Sequence, residues 1–152
     1  MPKASVKRLI ECKKKDLIAL VLDIEKYPQF VPFCFDAKVY ENKKNGDLIQ
    51  IIADLTIGKG PFKDTYKSDV VFNQKEDSIF VKNIDGPLNH LSNNWSFTDK
   101  KNGITEVTFD IDFEIKNKFL NSLMVVSFQF GLEKIADAFQ KRAEELFCSS
   151  KN

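Results

Sequence analysis

One histidine, one tryptophan and three scattered cysteines leave this 152-residue chain short of the usual carriers of polar chemistry. Cys12, Cys34 and Cys148 form no C-x-x-C pair, which removes the spacing that a zinc knuckle or a dithiol redox motif requires. Three reduced thiols are the simplest expectation. A dominant charge is missing too. Twenty-three Lys and Arg face 22 Asp and Glu, a formal net charge of +1, so no general attraction for a nucleic-acid polyanion exists. Long apolar runs are also missing. The uncharged stretch 119–132 falls short of the roughly 20 residues needed to cross a bilayer. The basic first residues are followed by no apolar segment, so no signal peptide is expected.

What the chain does hold is phenylalanine: fourteen, against three tyrosines. Phe adds apolar area with no polar atom to satisfy, which suits a large core and equally the wall of a greasy cavity. Hydrophobic residues make up 43% and charged residues 30%, ordinary for a globular protein. The length fits one domain over 1–152.

Periodicity is clearest near the end of the chain. Over 105–116, Val107, Phe109, Ile111, Phe113 and Ile115 alternate with Thr108, Asp110, Asp112, Glu114 and Lys116, the pattern of a strand with one dry face. A helix over about 119–147 follows almost at once. Leu120, Met124, Phe128, Leu132, Ile135 and Phe139 form its stripe. Val125, Val126 and Phe130 widen the apolar arc in its N-terminal half. A dimer contact, a membrane-surface contact or a ligand lid would each account for that excess.

Upstream, 5–11 reads as a strand and 14–24 as a helix. Residues 27–34 read as a proline-broken helical turn. Strands follow over 35–42, 47–57, 62–73, 78–85 and 91–99. Asn45-Gly46 and Asn102-Gly103 are hairpin signals; 58–61 and Gly86-Pro87 are turns. The order is β-α-α-β6-α. Consecutive hairpins imply an antiparallel meander, so the expected fold is α+β: a curled sheet of about seven strands with the last helix across it.

Polar candidates are few. His90 lacks a motif partner and reads as a strand-edge residue, or as a hydrogen bonder near a cavity mouth. Asp110, Asp112 and Glu114 read as a solvated strand face, since a calcium loop needs other spacing. Lys13, Lys14 and Lys15 read as a solvated loop. The inner faces read as almost wholly apolar, with Ser68 the main exception. The 27–34 segment either plugs one end of the sheet or lines a cavity entrance.

These elements, together with Tyr27-Pro28-Gln29-Phe30-Val31-Pro32-Phe33-Cys34, Gly60-Pro61-Phe62, Asp85 to Leu91 leading to Trp95-Ser96-Phe97, and Phe113-Glu114-Ile115, resemble the START-like, or helix-grip, fold of the polyketide cyclase and lipid-transport superfamily. More narrowly, they resemble the coenzyme Q-binding protein family, whose bacterial relatives include proteins called ribosome association toxin A. The likeness runs from about Ser5 to Phe147. Leu88 departs from it, standing where relatives often carry Phe.

The resemblance implies two jobs. One is non-enzymatic binding of ubiquinone or another isoprenoid lipid in support of respiration, with no further cofactor. The other is binding the large ribosomal subunit and blocking subunit joining. A cyclase-like enzyme is a weaker third reading. The expected ligand-binding residues are Tyr27, Phe30, Phe33, Phe62, Tyr66, Leu88, Trp95, Phe97, Phe109, Phe113, Met124 and Phe128, with no catalytic or metal-binding set. The expected location is cytoplasmic, or peripheral on the inner face of the membrane. Expected partners are the lipid, the membrane surface, the ribosome and a second copy through the apolar half of the last helix.

Overall fold

The computed structural model describes residues 3–59, 61–86 and 88–148, with side chains except at positions 59, 62, 115, 120, 121, 123–128 and 148. Seven strands form one antiparallel sheet: β1 (Lys3–Ile10), β2 (Cys34–Asn45), β3 (Leu48–Lys59), β4 (Phe62–Asn73), β5 (Ser78–Asp85), β6 (Leu88–Asp99) and β7 (Thr105–Ile115). Their spatial order is β1-β7-β6-β5-β4-β3-β2. The first two strands are therefore the two edges. The chain between them carries α1 (Lys14–Leu22) and a 3-10 turn, Ile24–Gln29, with Pro28 inside it. α2 (Lys118–Ala143) packs back on β1, β7 and α1. This is the START-like helix-grip architecture.

The strands form where alternation was strongest. The two Asn-Gly pairs act as hairpin signals should. Gly46, Asn102 and Gly103 all have positive φ, at 62°, 62° and 72°, which Gly and Asn tolerate best. The turns expected at 58–61 and Gly86-Pro87 include Gly60 and Pro87, which lie outside the described residues. Several boundaries shift by a few residues from the sequence reading, and two shape the site. β6 begins at Leu88 rather than 91, through an irregularity between Leu88 and His90. α2 ends at Ala143, and its continuation Glu144–Cys148 widens to a π turn. The cysteine expectation needs correction as well: Cys12 is disulfide-bonded, whereas Cys34 is a buried free thiol.

Register fixes the concave face row by row. Val6, Phe109, Trp95, Ile79, Phe72 and Ile49 are successive cross-strand partners over six strands. Ala4, Ile111, Asn93, Val81, Val70 and Ile51 form the next row by the same pairings. Most of these side chains belong to one core cluster with Leu17, Ile18, Leu20 and Val21 of α1 and Leu132, Phe139 and Ala143 of α2. Burial of this apolar surface, at about 25 cal/mol per Å², holds the helix in the grip of the sheet. Arg8 ties β1 to α2 through Asp137 at 2.8 Å.

Candidate lipid-binding cup

The end of the cup nearest α1 is filled by aromatic rings around Phe139. Tyr27, Phe30 and Trp95 meet that ring at centroid distances of 5.4, 5.1 and 5.2 Å, all near edge-to-face. Trp95 in turn lies 4.3 Å from Phe109 and stacks at 6.4 Å on Phe97. Edge-to-face geometry aligns the positive ring edge with the negative face. Five of the expected lining residues, Tyr27, Phe30, Trp95, Phe97 and Phe109, therefore meet in one packed knot. Its hub, Phe139, stood on the helix stripe but was not among them. Arg142 caps the knot over the Phe30 ring at 5.3 Å and donates to Gln29 at 2.9 Å.

Toward the opposite end the wall changes character. Phe113, Leu91, Leu88 and Tyr66 are buried there. Phe33 adopts φ 70°, uncommon for a bulky residue, and its ring edge lies 3.8 Å from where a Cβ on Gly131 of α2 would stand. Gly86 packs against Tyr66 so closely that an added Cβ would sit 2.7 Å from the tyrosine Cβ. The expected lining residues Phe62, Met124 and Phe128 have side chains outside the described residues, as do Val125 and Val126. Of the apolar arc on α2, Phe130 is exposed, with Lys134 Nζ 4.6 Å from its ring centroid. Phe119 is exposed as well.

The cup's polar groups are sparse and mostly satisfied. Ser68 is fully buried and donates to the Ala53 carbonyl at 3.2 Å. Thr105 donates to the Cys12 carbonyl at 2.8 Å. The Tyr27 hydroxyl donates to the Val21 carbonyl. Burial pushes the Tyr27 and Tyr66 hydroxyls well above the ordinary tyrosine range, with the nearby Cys34 adding to both shifts. Burial also pushes the Cys34 thiol up to about 11.

Two asparagines correct the expectation that Ser68 was the main inward polar group. Asn83 bridges the gap where β5–β6 pairing stops: it accepts from Leu91 N at 2.9 Å and donates to the Leu88 carbonyl at 3.2 Å. Asn93 stands among apolar partners on the concave face. Parity was the available signal, since Asn93 is two residues before Trp95 on the same strand.

His90 fits its reading as a surface strand residue and not the alternative of a hydrogen bonder at a cavity mouth. It shares the convex face with Asp112, its Nε2 lying 3.6 Å from Asp112 Oδ2, and Lys3 Nζ approaches the same oxygen at 3.9 Å. It therefore turns away from the cup. Glu114 accepts from Asn89 at 3.0 Å. Asp110 is exposed beside a shallow polar depression lined by Ser5, Ser92 and Asn94. Lys14 is not free: it pairs with Asp77 at 2.8 Å and Asp99 at 3.1 Å, and these hydrogen bonds, Asp77 first, raise its pKa. Among the described residues no helix is long and apolar enough to cross a membrane.

Comparison with known proteins adds the remaining findings. The family model described as polyketide cyclase / dehydrase and lipid transport matches residues 12–140. A ribosome association toxin RatA of Rickettsia prowazekii is 31% identical over 142 residues, covering 91% of this chain and 94% of that protein. A mitochondrial coenzyme Q-binding protein COQ10 of Dictyostelium discoideum is 29% identical over 136 residues, covering 87% of this chain and 64% of that protein. A START superfamily protein from Mycobacterium smegmatis superposes with TM-score 0.80 at 19% identity, covering 95% and 98% of the two chains. The Zhui aromatase/cyclase from a Streptomyces species gives 0.76 at 11%, covering 94% and 93%. The last two likenesses are of fold alone.

Proposed function

The chain belongs to the polyketide cyclase / dehydrase and lipid transport family, and on that footing we propose that it is a non-enzymatic binder of a hydrophobic isoprenoid quinone, of the ubiquinone class. The ligand occupies the cup between the concave face and α2. The observation that carries this reading is the concave face itself: one cross-strand row is apolar over six strands and the next is apolar except at Asn93. Such a wall offers dispersion contacts and a dry surface. A tail drawn from a membrane into an equally dry cup loses little hydrophobic free energy, so loading and release are both accessible.

Ligand binding without chemistry fits the side chains present. The Ser68 and Thr105 hydroxyls are both engaged by backbone carbonyls, and burial holds the Tyr66 hydroxyl and the Cys34 thiol in their neutral forms. General acid–base work needs a titratable group within reach of the reacting atom, whereas His90 and Asp112 lie on the other face. The coenzyme Q-binding name of the Dictyostelium relative supports the ligand class. Titration of the purified protein with decylubiquinone, read by fluorescence of the single tryptophan, tests the proposal. Saturable quenching is expected. Absence of quenching, together with no shift in melting temperature, contradicts it.

A second reading, action on ribosomes, is favoured by the 31% identity to the Rickettsia toxin over nearly its full length. Net charge of +1 weighs against tight binding to RNA phosphates. Sedimentation with large ribosomal subunits, and loss of joined ribosomes when the protein is added, would establish that reading.

A further inference from the structure

Asn93 is the one polar side chain in a cross-strand row otherwise made of Ala4, Ile111, Val81, Val70 and Ile51. Its strand neighbours on the same face, Leu91 and Trp95, are buried. Its Oδ1 is buried with no hydrogen-bond partner. Buried amide oxygens are nearly always paired, and an orphan asks for an explanation. The residue as a whole is only partly buried, although the amide oxygen itself is buried. Asn83 provides the contrast: it sits on the same side of the sheet, and both ends of its amide are taken up by the β6 backbone.

We infer that Asn93 is the polar anchor of the cup, the amide that meets a carbonyl or hydroxyl oxygen on the ring of the bound ligand. This deepens the quinone-binding reading and rests on it. An amide suits the task because rotation about its last bond presents either a donor or an acceptor. The same side chain can therefore hold the carbonyl of an oxidised ring and the hydroxyl of a reduced one. The position also sets orientation. Asn93 lies one row from the aromatic knot, while Leu88, Tyr66 and Phe33 stand toward the other end. The ring goes in first, stops against the knot, and the tail trails past Leu91 and Phe113.

The test compares two probes with matched tails, decylubiquinone and decylbenzene, on wild type and Asn93→Leu, by calorimetry and thermal shift. Wild type should prefer the quinone by about tenfold or more, because a site with an unpaired polar group rejects a ligand that leaves it unpaired. Asn93→Leu should erase the preference, keep decylbenzene binding, and melt no lower than wild type without ligand. If leucine is too large for the row, Asn93→Val asks the same question. Retained preference in the folded variant, or no preference in wild type, overturns the anchor and leaves hydrophobic binding standing. Wild type that binds neither probe overturns the quinone-binding reading, and the anchor with it.

Discussion

Phe139 stands edge-on to Trp95, their ring centroids 5.2 Å apart and their planes at 69°. One residue of α2 thereby locks the helix to the middle of the sheet, and it also receives Tyr27 and Phe30 from the connecting turn. Phe139→Ala should destabilise the protein by about 3–5 kcal/mol, since the hole it leaves is bounded by large rings that cannot all collapse inward. Urea melts measure this. A loss below about 1 kcal/mol would mean that the knot is loosely packed.

Gly86→Ala should be nearly as costly for a different reason. Gly86 has φ 130°, and an added Cβ would meet Tyr66 Cα at 2.8 Å. Backbone in that region is close to glycine-only, and a residue forced into it costs of order 1–3 kcal/mol. The clash is with backbone and Cβ, which cannot swing aside. A lowered melting temperature is expected, along with weaker decylubiquinone binding if Tyr66, as proposed, is part of the lining.

Cys34 should label slowly. Its thiol is buried, and desolvation lifts it from 9.0 to about 11, while the thiolate is the reactive form. Iodoacetamide should modify the native protein much more slowly than the urea-unfolded chain at pH 8. Linkage gives a second readout. Between about pH 9 and 11 the unfolded thiol ionises and the folded one does not. The unfolded state then binds fewer protons, and stability falls as pH rises through that window. The Cys34→Ser variant should lose this part of the alkaline decline.

His90→Ala should leave quinone binding unchanged and stability within about 1 kcal/mol, the scale of partly exposed ion pairs. The imidazole is 40% exposed on the convex face beside Asp112. A binding loss of a hundredfold would mean that the two faces of β6 communicate.

Strand periodicity made most of the fold legible. Val107, Phe109 and Phe113 are buried as alternation requires, and the Asn-Gly pairs turn where expected. Alternation could not reveal the strand irregularity at Leu88, because it depends on Asn83 filling the gap with its own amide. His90 itself was placeable, since regular alternation from Trp95 puts it on the opposite face. Lining residues were readable only as inward-facing. Which of them would knot together depended on how far along α2 the stripe meets the sheet, and that is a tertiary fact carried by Phe139. Asn93 was readable by parity but was eclipsed by its aromatic neighbours.

The most direct test is native mass spectrometry of the protein purified without detergent from a quinone-producing bacterium, followed by solvent extraction and mass analysis of what is released. The quinone-binding proposal predicts a one-to-one adduct whose extracted mass is that of an isoprenoid quinone. A bare polypeptide mass, with no quinone extracted and none taken up on incubation with quinone-loaded vesicles, would contradict it.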